Sequence, residues 1–153
     1  MSDPRDQQIV DELIVVYELE LEAVENFLAH SINLDGVRAE EIKKSLAADV
    51  TGEIAHSQMV AARIKQLDGL VPGSLSLRRR QTYLQPSADT TDVLKVIRGV
   101  IAAEEAVIAQ YRKIVQLCEG YDYVTQDMAI TLMADEEAHR REFRGFLREY
   151  ANE

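Results

Sequence analysis

Residues 70–89 read LVPGSLSLRRRQTYLQPSAD, and this stretch decides how the rest of the chain is assembled. It carries Pro72-Gly73, clustered serines, Arg78-Arg79-Arg80 and Pro86, with neither the recurrence of a helix nor the alternation of a strand. On both sides the helix period is strong. Before it, residues 4–33 place Ile9, Leu13, Val16, Val24 and Phe27 at three- and four-residue spacings, with Asp3 as N-cap and Pro4 at the first helical position. Asn33-Leu34-Asp35-Gly36 is a turn. Residues 37–67 then carry Ile42, Leu46, Val50, Val60, Ile64 and Leu67, and Asp68-Gly69 ends them. After it, residues 91–119 carry Val93, Ile97, Val100, Val107, Tyr111 and Ile114, and residues 122–151 carry Met128, Leu132, Phe143, Phe146 and Leu147.

The spacing therefore predicts four helices of about 28–32 residues, each on the order of 45 Å long, in an all-α four-helix bundle. The short turns make two antiparallel hairpins. The connection over residues 68–90 is too long for an ordinary helix–helix turn, and long enough to run the length of the bundle and restart the third helix at the far end. Four up-and-down helices with a floppy insertion is the alternative topology. At 153 residues the whole of 1–153 reads as one domain.

Composition narrows the function. An apolar share of 46% and a charged share of 29% are globular values. Seventeen basic against twenty-seven acidic side chains give a net charge of −10, with no basic tail, which argues against nucleic acid as a partner. Cys118 has no second cysteine to pair with, so it reads as a small core residue in a reducing compartment. No apolar run is long enough to span a membrane, and Met1-Ser2-Asp3-Pro4-Arg5-Asp6 lacks the features of a signal peptide. The expectation is a soluble, cytoplasmic protein.

The informative residues interrupt the apolar stripes. Glu20 breaks the first, Glu53 and His56 the second, Glu104 the third, Glu136 and His139 the fourth. Glu20 lies 15 residues before Asp35 and Glu53 lies 18 after it; Glu104 and Glu136 lie 16 before and 16 after Gly120. Equal distance from a hairpin turn means equal height, so all four carboxylates fall at mid-bundle. Glu fills about a tenth of the chain, so two of three histidines carrying Glu three residues upstream has a chance probability of roughly 0.03. Four buried carboxylates repel and are costly to desolvate unless protons, water or cations neutralise them. Two divalent cations balance four Glu charges, and His56 and His139 add a nitrogen for each, a mixed donor set that suits iron or manganese. Glu18, Glu22, Glu25, Glu105 and Glu137 lie off the stripes and read as solvated, as does the run Arg78-Arg79-Arg80. His30 reads as a surface histidine.

The pattern Glu20, Glu53-Ile54-Ala55-His56, Glu104, Asp135-Glu136-Glu137-Ala138-His139 resembles the ferritin-like di-iron carboxylate proteins, most closely the bacterioferritins, over nearly the whole chain. The resemblance implies that Glu53 and Glu136 bridge two irons, with Glu20 and His56 on one, and Glu104 and His139 on the other. It also implies oxidation of two Fe(II) by O2 or H2O2 through a di-ferric state, with metals roughly 3.5–4 Å apart. These six residues are the expected catalytic and metal-binding set, holding two Fe ions, with manganese open in one position. The family's haem methionine follows the helix-two glutamate, where Ile54 stands, which argues against haem. Phe27 stands where the family has a tyrosine, and Tyr111 holds the matching place in the other half. Only 14 residues follow His139, so the fifth helix that helps close a 24-subunit cage is not expected.

The resulting expectation is a ferroxidase that stores or detoxifies iron as a homo-oligomer, bacterioferritin-like and without haem. Two alternatives use the same chain. One is a rubrerythrin-like di-iron peroxidase that stores nothing and takes electrons from a separate donor. The other is a non-catalytic helical binding module.

Overall fold

A computed structural model describes residues 3–152; Met1, Ser2 and Glu153, included in the domain reading above, lie outside the described residues. Four long helices account for most of it: α1 (Pro4–Asn33), α2 (Glu40–Gln66), α3 (Val93–Cys118) and α4 (Tyr123–Ala151). No strand occurs among the described residues. Three Asp side chains cap helix starts: Asp3, as the sequence suggests, accepts from the Arg5 amide, and Asp92 and Asp122 accept from those of Lys95 and Thr125. The second helix begins later than residue 37. Gly36 adopts φ 98°, and Val37–Ala39 form a 3₁₀ turn before the α-helix starts at Glu40.

The helices form two antiparallel hairpins, α1 with α2 and α3 with α4, joined face to face mainly through α1 and α3. The apolar core falls into two clusters. One gathers Ile9, Leu13 and Val16 with Val60, Ile64, Val107, Tyr111, Ile114, Ala129 and Leu132. The other gathers Phe27, Ile42, Leu46, Leu84, Val93, Ile97, Val100 and Phe143. Following the clusters along the chain fixes the topology. The α2 helix ends in the first cluster and α3 starts in the second, so the intervening segment crosses the length of the bundle. The single-crossover bundle is the fold; α1 and α4 run parallel.

The crossover is fastened, not floppy. Every fourth residue of α1 from Glu18 to His30 is polar, buried and turned to it. Glu18 accepts from the Arg78 amide, and Glu22 accepts from the amides of Arg80 and Gln81, each at 2.7 Å. Asn26 donates to Gln81 at 2.9 Å, and His30 Nε2 lies 2.7 Å from the Leu84 carbonyl oxygen. Farther on, the strap crosses α3 at Gly99, where a Cβ would lie 2.8 Å from the Tyr83 carbonyl oxygen. Three expectations are corrected here. Glu18, Glu22 and His30 are buried, because the crossover backbone brings amides and a carbonyl that need partners away from water. Arg80 pairs with Glu18 at 3.2 Å and Arg79 with Glu25 at 3.0 Å, so the arginine run is not simply solvated. Glu25, Glu105 and Glu137 are exposed, as expected.

Candidate metal centre

Between the two apolar clusters lies a polar layer. Glu20 of α1, Glu53 and His56 of α2, Glu104 of α3 and Glu136 of α4 are all at most 5% exposed, and the His139 side chain of α4 is 22% exposed. Each glutamate takes a seam position where its helix otherwise carries apolar residues: Glu20 follows Leu13 and Val16, and Glu104 follows Ile97 and Val100. The i, i+3 spacing sets each histidine one turn beyond its glutamate on the same face. All six predicted residues are brought together.

Two overlapping groups result. Ligand atoms of Glu20, Glu53, His56 and Glu136 lie within 4.8 Å of one another, and so do those of Glu53, Glu104, Glu136 and His139. Glu53 and Glu136 belong to both. His56 Nδ1 lies 2.8 Å from Glu20 Oε2, 2.9 Å from Glu136 Oε1 and 3.6 Å from Glu53 Oε2. His139 Nδ1 is looser, 3.5 Å from Glu53 Oε1 and 3.6 Å from Glu136 Oε2. Several buried atoms here have no hydrogen-bond partner: both Glu53 oxygens, Glu104 Oε2, Glu136 Oε2 and His139 Nδ1. Orphaned polar atoms converging from three helices are unfavourable for a protein alone and are what a cation pair would satisfy.

The electrostatics say how the layer is balanced without metal. Burial and the charges of Glu53 and Glu136 push the Glu20 carboxyl well above the usual range. Burial and its hydrogen bond with Glu136 do the same to Glu104. Glu136 is held well below that range: burial opposes this, but Glu104, His139 and His56, which stand against it, outweigh burial. His56 rises to about 10; burial works against its charge, and Glu136 and Glu53 overcome it. The nearby Glu136 and Glu53 carboxylates, against the opposing effect of burial, likewise push His139 to about 10. Protons on Glu20, Glu104 and both imidazoles thus occupy the place of positive charge that metal would take.

Three participants were not assigned a role from sequence. Asp135 Oδ2 lies 3.0 Å from His56 Nε2, and Asp49 Oδ1 lies 3.6 Å from His139 Nε2, so each imidazole has a carboxylate from the opposite hairpin behind it. Such partners fix the ring's orientation and leave Nδ1 facing the site. Asp49 is buried, and burial pushes its carboxyl up to about 7, with His139 opposing and Glu142 adding to the rise. Periodicity holds the signal for it: Ile42, Leu46, Asp49, Glu53, His56 and Val60 step by three and four, so the seam position is 49 and not the half-buried Val50. The third is the Tyr111 hydroxyl, buried and unpartnered, with its pKa raised by burial and by the Glu20 and Glu136 charges.

Known structures share this architecture. The dodecameric thioferritin of Bacteroides fragilis, a bacterioferritin-related protein, superposes with TM-score 0.88 at 23% identity, covering 96% of this chain and 88% of that one. A mutant of Dps1 from Mycobacterium smegmatis gives 0.83 at 20% identity, covering 96% and 99%. A ferritin-like diiron-carboxylate protein from Bacillus anthracis gives 0.79 at 18% identity, covering 95% and 99%. No curated protein sequence matches the chain. The family model of the ferritin-like domain matches residues 11–152, from the first buried turns of α1 to the end of α4, and the chain belongs to the ferritin-like family.

Proposed function

We propose that this protein is a ferroxidase of the iron-storing or iron-detoxifying kind, acting at a dinuclear centre within one chain and without haem. The carrying observation is the sharing of Glu53 and Glu136 between two ligand groups. A carboxylate common to both groups holds two cations at a short, fixed separation. Glu20 and His56 complete one position, Glu104 and His139 the other. Two Fe(II) ions are the substrate. Together they release two electrons, the number that reduces O2 to H2O2 or H2O2 to water, and oxygen-rich ligands favour the ferric product. The chain's own part is to hold the ions, to give up the protons that occupy the site without them, and to keep the surrounding apolar clusters dry.

A homo-oligomer belongs to the same reading. The Bacteroides thioferritin is dodecameric, and α1 and α2 leave Leu28, Ile32, Ile54 and Met59 at least 42% exposed here. Among the described residues no helix is long and apolar enough to cross a membrane. The experiment is iron retained per chain after anaerobic Fe(II) loading, air oxidation and desalting. Tens or more per chain are expected for storage; about two would replace storage with rubrerythrin-like peroxidase chemistry at the same residues, and near zero would refute the metal reading.

A further inference from the structure

The strap and α3 frame a groove that the dinuclear centre does not use. Positions 93, 97, 100 and 104 of α3 point into the core, and the neighbouring face carries Lys95, Arg98, Gly99 and Ala102. Where the strap crosses that face, Tyr83 forms one wall of a groove of about 500 Å3, a size within the range of small-ligand sites. The floor is flat, because Gly99 has no side chain and Ala102 carries a single methyl. Tyr83 is 40% exposed, so its ring is not sealed beneath the strap. Lys95 and Arg98 are exposed and stand at i, i+3, roughly 5–6 Å apart on one side of the helix. Among the described residues neither has a carboxylate at ion-pair distance, whereas Arg79 and Arg80 of the strap and Lys113 of α3 each have one. Asp92, at the end of the groove, uses Oδ1 to cap the Lys95 amide and leaves Oδ2 over. In a chain of net charge −10, two unpaired cations beside an aromatic wall select for a small anionic ligand with a flat ring.

We propose that this groove between the strap and α3 binds a planar, phosphate-bearing ligand of the mononucleotide class. The base stacks on Tyr83 over the flat floor, the phosphate lies against Lys95 and Arg98, and Asp92 Oδ2 accepts from the sugar hydroxyls. The Arg98 fork matches two phosphate oxygens and Lys95 adds a point charge. Stacking on an aromatic ring is tolerant of which base is present, so the groove sets the class of ligand and not its base. An acidic protein surface would engage the two cations and leave the ring and the floor unfilled. The inference is independent of the dinuclear reading, since the groove shares no residue with that centre.

The test is isothermal titration of the full chain with AMP at physiological ionic strength, with adenosine, ribose 5-phosphate and inorganic phosphate titrated alongside. AMP should bind about tenfold or more tightly than any of these three fragments. R98Q and K95Q should each weaken AMP by about tenfold and Y83L by about fivefold, while R112Q, at an exposed cation of α3 outside the groove, should leave it unchanged. Circular dichroism checks that Y83L is folded; if it is not, the two glutamine variants at exposed positions decide the matter. No binding of AMP up to millimolar concentration overturns the proposal. Inorganic phosphate binding as tightly as AMP would leave only an anion site and overturns it too. An equal loss in R112Q and R98Q would mean diffuse attraction to surface charge, and unchanged binding in both R98Q and K95Q would place the ligand elsewhere; either result refutes the assignment.

Discussion

The two hairpins carry the same ligands and little else in common. Shifting α1 by 84 positions lays Glu20 on Glu104 and Phe27 on Tyr111; shifting α2 by 83 lays Glu53 on Glu136 and His56 on His139. The neighbours do not follow. Glu18 and Glu22, which hold the crossover, correspond to Ala102 and Ala106, and Asp49 corresponds to Leu132. Where the halves agree, the residues point into the shared polar layer. Where they differ, each residue answers to something its own hairpin meets: acids of α1 accept the strap's amides, and Ser45 and Asp49 of α2 face Glu142 and His139. The repeat thus separates what the centre requires from what each side of the bundle requires.

The largest expected effect tests the agreement. If Glu53 and Glu136 each contact both ions, E53A and E136A should each abolish two-metal binding in a Co(II) titration, whereas E20A or E104A should leave one site. Retention of two metals in E53A or E136A would break the bridging assignment. A difference in kind between E20A and E104A would break the equivalence of the halves.

Acidity gives the next effect, through groups present in both halves. His56 and His139 have folded pKa values of about 10 against 6.5 for a free imidazole, so each contributes stability fully present below about 6.5 and lost as pH rises through 10. Glu20 and Glu104, also raised, act in the same direction above the ordinary carboxylate range. Glu136, lowered, contributes stability that is lost only as pH falls through its folded value. The metal-free protein should therefore melt at lower temperature as pH rises from 6.5 to 10, followed by circular dichroism. Metal loading should flatten or reverse that slope, since the ions displace the same protons. A metal-free melting temperature that does not fall over this range would show that the site is balanced in some other way.

Much of the fold and of the candidate centre is legible as one pattern of steps. Residues 93, 97, 100, 104, 107, 111, 114 and 118 of α3 alternate steps of four and three and are all buried, so a glutamate on that course is visible as a charge in a seam. The same course in α1 runs through 27 and 30, which makes His30 a buried position; reading it by its nearness to a helix end missed this. Glu18 and Glu22 were illegible for a different reason. They lie off the seam, and what buries them is a segment 58 to 62 residues later whose path no local period encodes. Only the unsatisfied amides of an irregular segment hint that some helix must present acceptors to it.

That segment sets a smaller effect, confined to one half. Glu22 receives two main-chain amides, so E22A should destabilise the protein by about 1–3 kcal/mol in urea unfolding, while E25A at an exposed pair should stay within about 0.5 kcal/mol. Equal effects would mean that the strap contributes nothing beyond a surface ion pair.

The smallest effect sits where the halves differ by one oxygen. Phe27 and Tyr111 are both fully buried, and the Tyr111 hydroxyl lacks a partner. A desolvated, unpaired hydroxyl is unfavourable, so Tyr111→Phe should raise the stability of the metal-free protein by about 1 kcal/mol, and Phe27→Tyr should lower it by a similar amount. Both are read as shifts in thermal midpoint at one pH. The pair is informative because the rings hold matching positions in the two halves, so ring volume and depth nearly cancel and the hydroxyl is what remains. If Tyr111→Phe instead destabilises, the hydroxyl is satisfied in solution by water within the polar layer. The matching ring of the other half would then mark the drier side of the centre.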